Sequence, residues 1–113
     1  MAMKKHLLFI CSSAVDRSPA AASLFEGSKK YEAKYAGLNS WASVPLTQTA
    51  IDWADVIFVM DEKVQQHRTI LLERFPDAIR KSIIVLDVPA DYARADPRLK
   101  DVLRGKIDEA GFN

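Results

Sequence analysis

Cys11 stands six residues before Arg17, and Ser18 and Pro19 follow at once, so one short stretch, Cys11-Ser-Ser-Ala-Val-Asp-Arg17-Ser18-Pro19, gathers a nucleophile, a guanidinium and a hydroxyl. A lone cysteine ending an apolar run is ordinarily a small buried hydrophobe. The neighbours of Cys11 point further. The stretch leads into a helix start, where unpaired N–H groups and the helix dipole favour an anion. A tight loop returns the planar Arg17 guanidinium over that anion with two parallel hydrogen bonds. The thiolate is the reactive form of cysteine, and at an ordinary pKa of about 8.5 it is a few per cent of the thiol at pH 7. Helix N–H groups, Arg17 and the Ser18 hydroxyl all favour it. The chemistry implied is attack by Cys11 on a phosphoryl group held in the loop.

Cleaving a phosphate ester also requires a proton for the leaving oxygen, and a positioned acid contributes about 10²- to 10⁴-fold. The segment 87–96 offers Asp87, Asp91 and Asp96. Asp87 directly follows an apolar run and ranks first; Asp91 is the alternative, since it needs the loop to fold back. Asp96, before Pro97, reads as the N-cap of a last helix, and Asp61 as the cap of a helix in the middle of the chain.

The elements that must position these groups alternate. Continuous apolar runs at 6–11, 56–60 and 83–86 have the pattern of strands buried on both faces, as in parallel sheets. Tyr31, Ala33 and Tyr35 alternate with polar residues and predict a more exposed strand at the sheet edge. Helices are expected from Ser18 as N-cap with Pro19 first, from Thr47 or Thr49 through Trp53, from Asp61 through Val64, Leu71 and Phe75, and from Asp96. The last carries an apolar stripe of Leu99, Val102, Leu103, Ile107 and Ala110. Right-handed crossovers then give an α/β, doubly wound three-layer sandwich with a four-stranded parallel sheet. Ligands of such sheets bind beyond the carboxyl ends of the strands, where Cys11 lies.

Composition bounds the alternatives. A chain of 113 residues, 49% apolar and 27% charged, is expected to be one domain over residues 1–113. The net charge of +1 has no basic stripe, which argues against nucleic acid or an anionic membrane as partner. Leu7–Ile10 is too short for a signal peptide or a membrane span, so a cytoplasmic location is expected. One cysteine and two separated histidines offer no disulfide and no metal site, and no cofactor is implied. His6 and His67 carry no functional signal.

Cys-x5-Arg-Ser-Pro after the first strand resembles the phosphate-binding loop of the low-molecular-weight protein tyrosine phosphatases. The likeness extends through Ala36-Gly37, the segment Ala54-Asp55-Val-Ile-Phe-Val-Met60-Asp61 and an aspartate-containing loop after the fourth strand. It implies that Cys11 attacks phosphorus to give a phosphocysteine that water then hydrolyses. Ser12, Ser13, Ala14, Val15, Asp16, Arg17 and Ser18 would form the phosphate-binding loop, with Ser18 also supporting the thiolate. By the same likeness Asp87 aligns best with the general acid, Asp91-Tyr92 is similar to the family's Asp-Pro-Tyr, and Trp41 and Tyr92 would wall the substrate. The partners implied are a phosphorylated protein or a small aryl phosphate, with inorganic phosphate as product. Val15 stands where threonine accompanies action on phosphoarginine in related enzymes, which favours an aryl phosphate.

The chain departs from the family's pattern. Ser13 and Ala14 replace a glycine and a loop-bracing asparagine, Asp16 adds a negative charge beside Arg17, and the chain is shorter than typical members. Weaker catalysis, or a phosphate-binding or phosphoprotein-binding module without turnover, is the alternative. Related arsenate reductases need further cysteines, which are absent. A sugar-transport type phosphocarrier would not need Arg17, and a plain structural domain leaves Arg17, Ser18 and Pro19 to capping alone.

Overall fold

The computed structural model describes residues 3–113. Four strands, β1 (Lys5–Cys11), β2 (Tyr31–Gly37), β3 (Val56–Val59) and β4 (Ser82–Val85), form one parallel sheet in the order β2-β1-β3-β4. Four α-helices connect or follow them: α1 (Arg17–Ser23), α2 (Gln48–Trp53), α3 (His67–Arg74) and α4 (Pro97–Glu109). A 3-10 turn, Pro76–Arg80, precedes β4.

The apolar runs become strands because both faces of the sheet are covered. Leu7, Phe9 and Cys11 of β1, with Val56 and Phe58 of β3, pack against α1 and α4 through Ala20, Ala21, Leu99, Leu103 and Ile107. The alternate residues Leu8, Ile10, Ile57 and Val59 pack on the other face against Ile51 of α2 and Leu71 of α3. Successive strand side chains point to opposite faces, so one continuous apolar run serves two cores and makes three layers. β2 lies at the edge with its outer half alternating, as its sequence predicts.

The chain runs from β1 to β2 on one side and then from β2 back across β1 to β3 on the other, so the strand order reverses beside Cys11. The loops after β1, β3 and β4 meet at that edge. Each holds a non-glycine residue in the left-handed region: Ala14 at φ 60°, Gln66 at φ 53° and Asp87 at φ 61°. Such conformations cost of order 1 kcal/mol each and persist where surrounding contacts over-determine them.

Some boundaries differ from the sequence expectation. Asp16, not Ser18, occupies the N-cap position of α1, and no side chain caps that end. Ser18 lies inside the helix, and its hydroxyl meets Cys11 Sγ. Helix α3 starts at His67 instead of near Asp61. The Asp61 carboxylate instead accepts from the N–H groups of Val64 and Gln65 and holds a separate turn, which leaves Val64 exposed. Thr47 caps α2 by accepting from Ala50 N–H at 3.2 Å, and Asp96 caps α4 by accepting from Arg98 N–H at 2.9 Å. Among the described residues no helix is long and apolar enough to cross a membrane.

Candidate active site

The loop after β1 is shaped by its outer side. The carbonyls of Ser12 and Ser13 accept from the N–H groups of Asn39 and Ser43 at 2.9 and 3.1 Å, and the Ala14 carbonyl accepts from the Ser43 hydroxyl at 2.8 Å. In a trans peptide the next N–H points opposite to the carbonyl, so the N–H groups of Ser13, Ala14 and Val15 turn to the inner side. Among the described residues, no backbone acceptor meets any N–H from Ser12 to Ser18. Successive N–H groups facing one concavity form an anion-binding nest.

Gly37 makes room for this curl. It pairs with Cys11 across the sheet, and a Cβ there would lie 2.6 Å from Ala42 Cβ, 2.8 Å from the Ser12 carbonyl and 2.9 Å from the Ala14 nitrogen. Only glycine lets the end of β2 lie this close to the loop.

Cys11 is 3% exposed, and its Sγ lies 3.0 Å from Ser18 Oγ, a buried contact that suits donation by the hydroxyl to a thiolate. Arg17 is buried, with Nη1 donating to the Val88 carbonyl at 2.8 Å and Nη2 donating to Gln65 Oε1 at 2.7 Å. A guanidinium has five N–H donors, so Nε–H and one N–H on each Nη remain for an anion. Burial lowers the Arg17 pKa, and Cys11, Asp61, Asp16 and Asp91 oppose that change. The group remains a cation at neutral pH.

Two side chains with no sequence signal complete the floor. His67 is 1% exposed; its Nδ1 accepts from the Asp61 N–H at 3.1 Å, which leaves the proton on Nε2 to be donated to Ser12 Oγ at 2.9 Å. Burial, and next the Arg17 charge, hold its pKa down at about 4, so the ring is neutral at pH 7. Gln65 donates from Nε2 to Ser12 Oγ at 3.4 Å while its Oε1 holds Arg17. Burial disfavours ionised Asp61, but the N–H groups of Gln65 and Val64 and the nearby Arg17 outweigh it and hold the carboxyl below its ordinary value. Neither His67 nor Gln65 belongs to a motif. The one sequence cue to His67 is its place just beyond β3, at the ligand-binding edge.

The remaining candidates are spread around this centre. Asp16 turns away from the nest, its Oδ1 accepting from the Arg94 N–H at 2.8 Å, which ties the first loop to the segment after β4. A cavity of about 580 Å³ has Asp61, Lys63, Gln65, Asp87, Pro89 and Asp91 in its walls. Asp87 is half exposed, with Oδ2 4.0 Å from Lys63 Nζ, whereas the Asp91 charge bears on Arg17. Val15 is 49% exposed at the loop rim. Trp41 is 78% exposed, in the segment that braces the loop from outside. Tyr92 is partly buried against the α1 and α4 core, with the Arg98 guanidinium 5.7 Å from its ring. Among the described residues no cluster of three His, Cys, Asp or Glu side chains is arranged to hold a metal ion.

No protein-family model and no curated protein matches the sequence. Solved structures do match in three dimensions. The YwlE arginine phosphatase from Geobacillus stearothermophilus is 26% identical over 93% of this chain and 84% of its own, with a TM-score of 0.63. SP-PTP, a low molecular weight protein tyrosine phosphatase from Streptococcus pyogenes, superposes with a TM-score of 0.77 at 17% identity, covering 94% of this chain and 90% of its own. The tyrosine phosphatase Wzb from Escherichia coli K30, in complex with phosphate, gives 0.72 at 16% identity, covering 96% of each chain.

The chain has the fold of the low-molecular-weight protein tyrosine phosphatases. The neighbours just named are phosphatases, at 16–26% identity. Within that fold, Cys11 occupies the end of the first strand and the open N–H groups form the loop that follows it.

Proposed function

We propose that the protein is a cysteine-dependent phosphomonoesterase that acts on an aryl phosphate, with a phosphorylated tyrosine side chain as the natural form of such a group. The observation that carries this reading is the run of N–H groups from Ser12 to Ser18 without a backbone acceptor, curling from Cys11 to the buried Arg17. The phosphatases that share the fold support it, one of them holding phosphate.

In the proposed reaction the nest and the free N–H groups of Arg17 hold the equatorial phosphoryl oxygens. Cys11 Sγ attacks phosphorus as the P–O ester bond breaks, and an aspartic acid gives its proton to the leaving oxygen. Water then attacks the phosphocysteine, the same carboxylate takes a proton from it, and inorganic phosphate leaves as the Cys11 thiolate is restored. Donors fixed before the reaction lose little to reorganisation as charge develops. Asp87 and Asp91 both stand in the wall of the cavity that Gln65 also lines, and they are the two candidates for the acid. The exposed Val15 and Trp41 supply apolar surface for an aromatic leaving group.

Hydrolysis of a small aryl phosphate and of phosphoarginine, compared for wild type, Cys11→Ser, Asp87→Asn and Asp91→Asn, tests the reading. Turnover of the aryl ester that disappears in Cys11→Ser and falls about 10²-fold or more in one of Asp87→Asn and Asp91→Asn is the expected result. Equal rates for wild type and Cys11→Ser would sink it. Phosphate that protects Cys11 from alkylation, without turnover of either substrate, would support the second reading, a phosphate-binding module. That alternative rests on Ala14, whose methyl group cannot brace the loop from within.

A further inference from the structure

Arg17 reaches the nest from the first turn of α1, and nothing in its own loop holds the guanidinium. Its Nη groups are fixed by the loops after β3 and β4, through Gln65 Oε1 and the Val88 carbonyl. The Val88 contact uses backbone and survives any side-chain change there. The Gln65 contact depends on one amide, placed by a chain of constraints: the Asp61 carboxylate accepts the Gln65 N–H, and the next residue, Gln66, is left-handed. The same amide has its Nε2 3.4 Å from Ser12 Oγ, which also receives the His67 N–H. Gln65 is therefore the side chain that touches both the guanidinium and the first residue after the nucleophile.

The choice of an amide has an electrostatic consequence. A carboxylate at the same place would hold Arg17 as well but would offset its charge and repel an incoming dianion. The neutral Oε1 fixes the fork and leaves the positive charge for phosphate. Arg17 is buried, so in the absence of Oε1 one Nη would lose its acceptor in a site shielded from water.

We infer that Gln65 is a positioning residue, which acts through Arg17 to align its free N–H groups with the phosphate-binding loop. The inference rests on reading residues 12–18 as an anion site, but not on turnover, so it is tested by binding alone. The probe is inorganic phosphate, its affinity read from protection of Cys11 against iodoacetate. The proteins are wild type, Gln65→Met, Arg17→Lys and the double variant, each with its melting temperature recorded.

Gln65→Met keeps the volume and removes the amide, and it should bind phosphate roughly tenfold more weakly, the scale of one hydrogen bond to a charged group, while melting several degrees lower because one buried Nη loses its acceptor. Because Gln65 acts through the guanidinium fork, adding Gln65→Met to Arg17→Lys should weaken phosphate no further. Wild-type affinity in Gln65→Met, losses that add in full in the double variant, or a wild-type protein that does not bind phosphate would each overturn the inference. A wild-type protein that binds phosphate but hydrolyses no ester would defeat the phosphatase reading and leave the Gln65 result to be judged by these affinities.

Discussion

His67 has both ring nitrogens engaged, and protonating it would set a second donor against the Asp61 N–H. Burial and the Arg17 charge hold its folded-state pKa at about 4, below the ordinary 6.5. Between those values the unfolded chain carries a proton that the folded chain does not. Unfolding therefore takes up protons, and stability falls as the pH drops from 6.5 towards 4, with nothing lost above that window. A difference of this size corresponds to about 3 kcal/mol once the pH is below both values. Urea titrations at pH 7.5, 5.5 and 4.5 should show the decline in wild type and a flatter profile in His67→Gln. An equal decline in the two proteins would place the pH dependence elsewhere.

At the scale of elements, the end of β2 and the loop after β1 shape one another. Gly37 pairs with Cys11, and the segment 39–43 that follows takes up the loop carbonyls. A methyl group on Gly37 would meet two loop backbone atoms and a packed alanine, all within 3.0 Å. Backbone cannot rotate aside as a long side chain would, so Gly37→Ala must push β2 and the loop apart. We expect a loss of about 1–3 kcal/mol, the usual range for overpacking, and a larger fractional loss of phosphate affinity than of stability. Thermal melting and phosphate protection of Cys11 would check both. At Gly105, inside α4, where an added Cβ meets nothing within 4 Å, Ala is instead expected to stabilise the protein by about 0.5–1 kcal/mol.

At the scale of the whole molecule, the strands and their parallel sheet were the most legible part of the sequence, because burial on both faces leaves an unbroken apolar run that few other elements require. The edge position of β2 followed from the alternation of Tyr31, Ala33 and Tyr35, and the caps at Thr47 and Asp96 from local side-chain chemistry. The start of α3 was not legible, since Asp61 can cap a helix or a single turn with the same carboxylate. Gln65 and His67 were hidden for another reason: their partners Arg17 and Ser12 lie 48 and 55 residues away, and no local period encodes such a contact. Nor does an alanine announce the left-handed conformation of Ala14.

The site is consequently a product of assembly, built where the loops after β1, β3 and β4 converge on one anion-sized concavity. Arg17 of the first is held by Gln65 of the second and Val88 of the third, so an anion that engages Arg17 and the nest stabilises all three. Binding to the folded chain alone adds about 2.7 kcal/mol at a phosphate concentration of 100 times Kd. For a chain of 113 residues that corresponds to a rise in melting temperature of roughly 10 °C. Phosphate also stabilises folded proteins by exclusion from their surface, so the informative comparison is with Arg17→Ala in the same buffer. Cys11→Ser, which keeps the nest and the guanidinium, should retain the rise, and Arg17→Ala should lose all but the general salt effect. A rise of equal size in wild type and Arg17→Ala would mean that phosphate acts on the surface at large and that the three loops do not close on a common ligand.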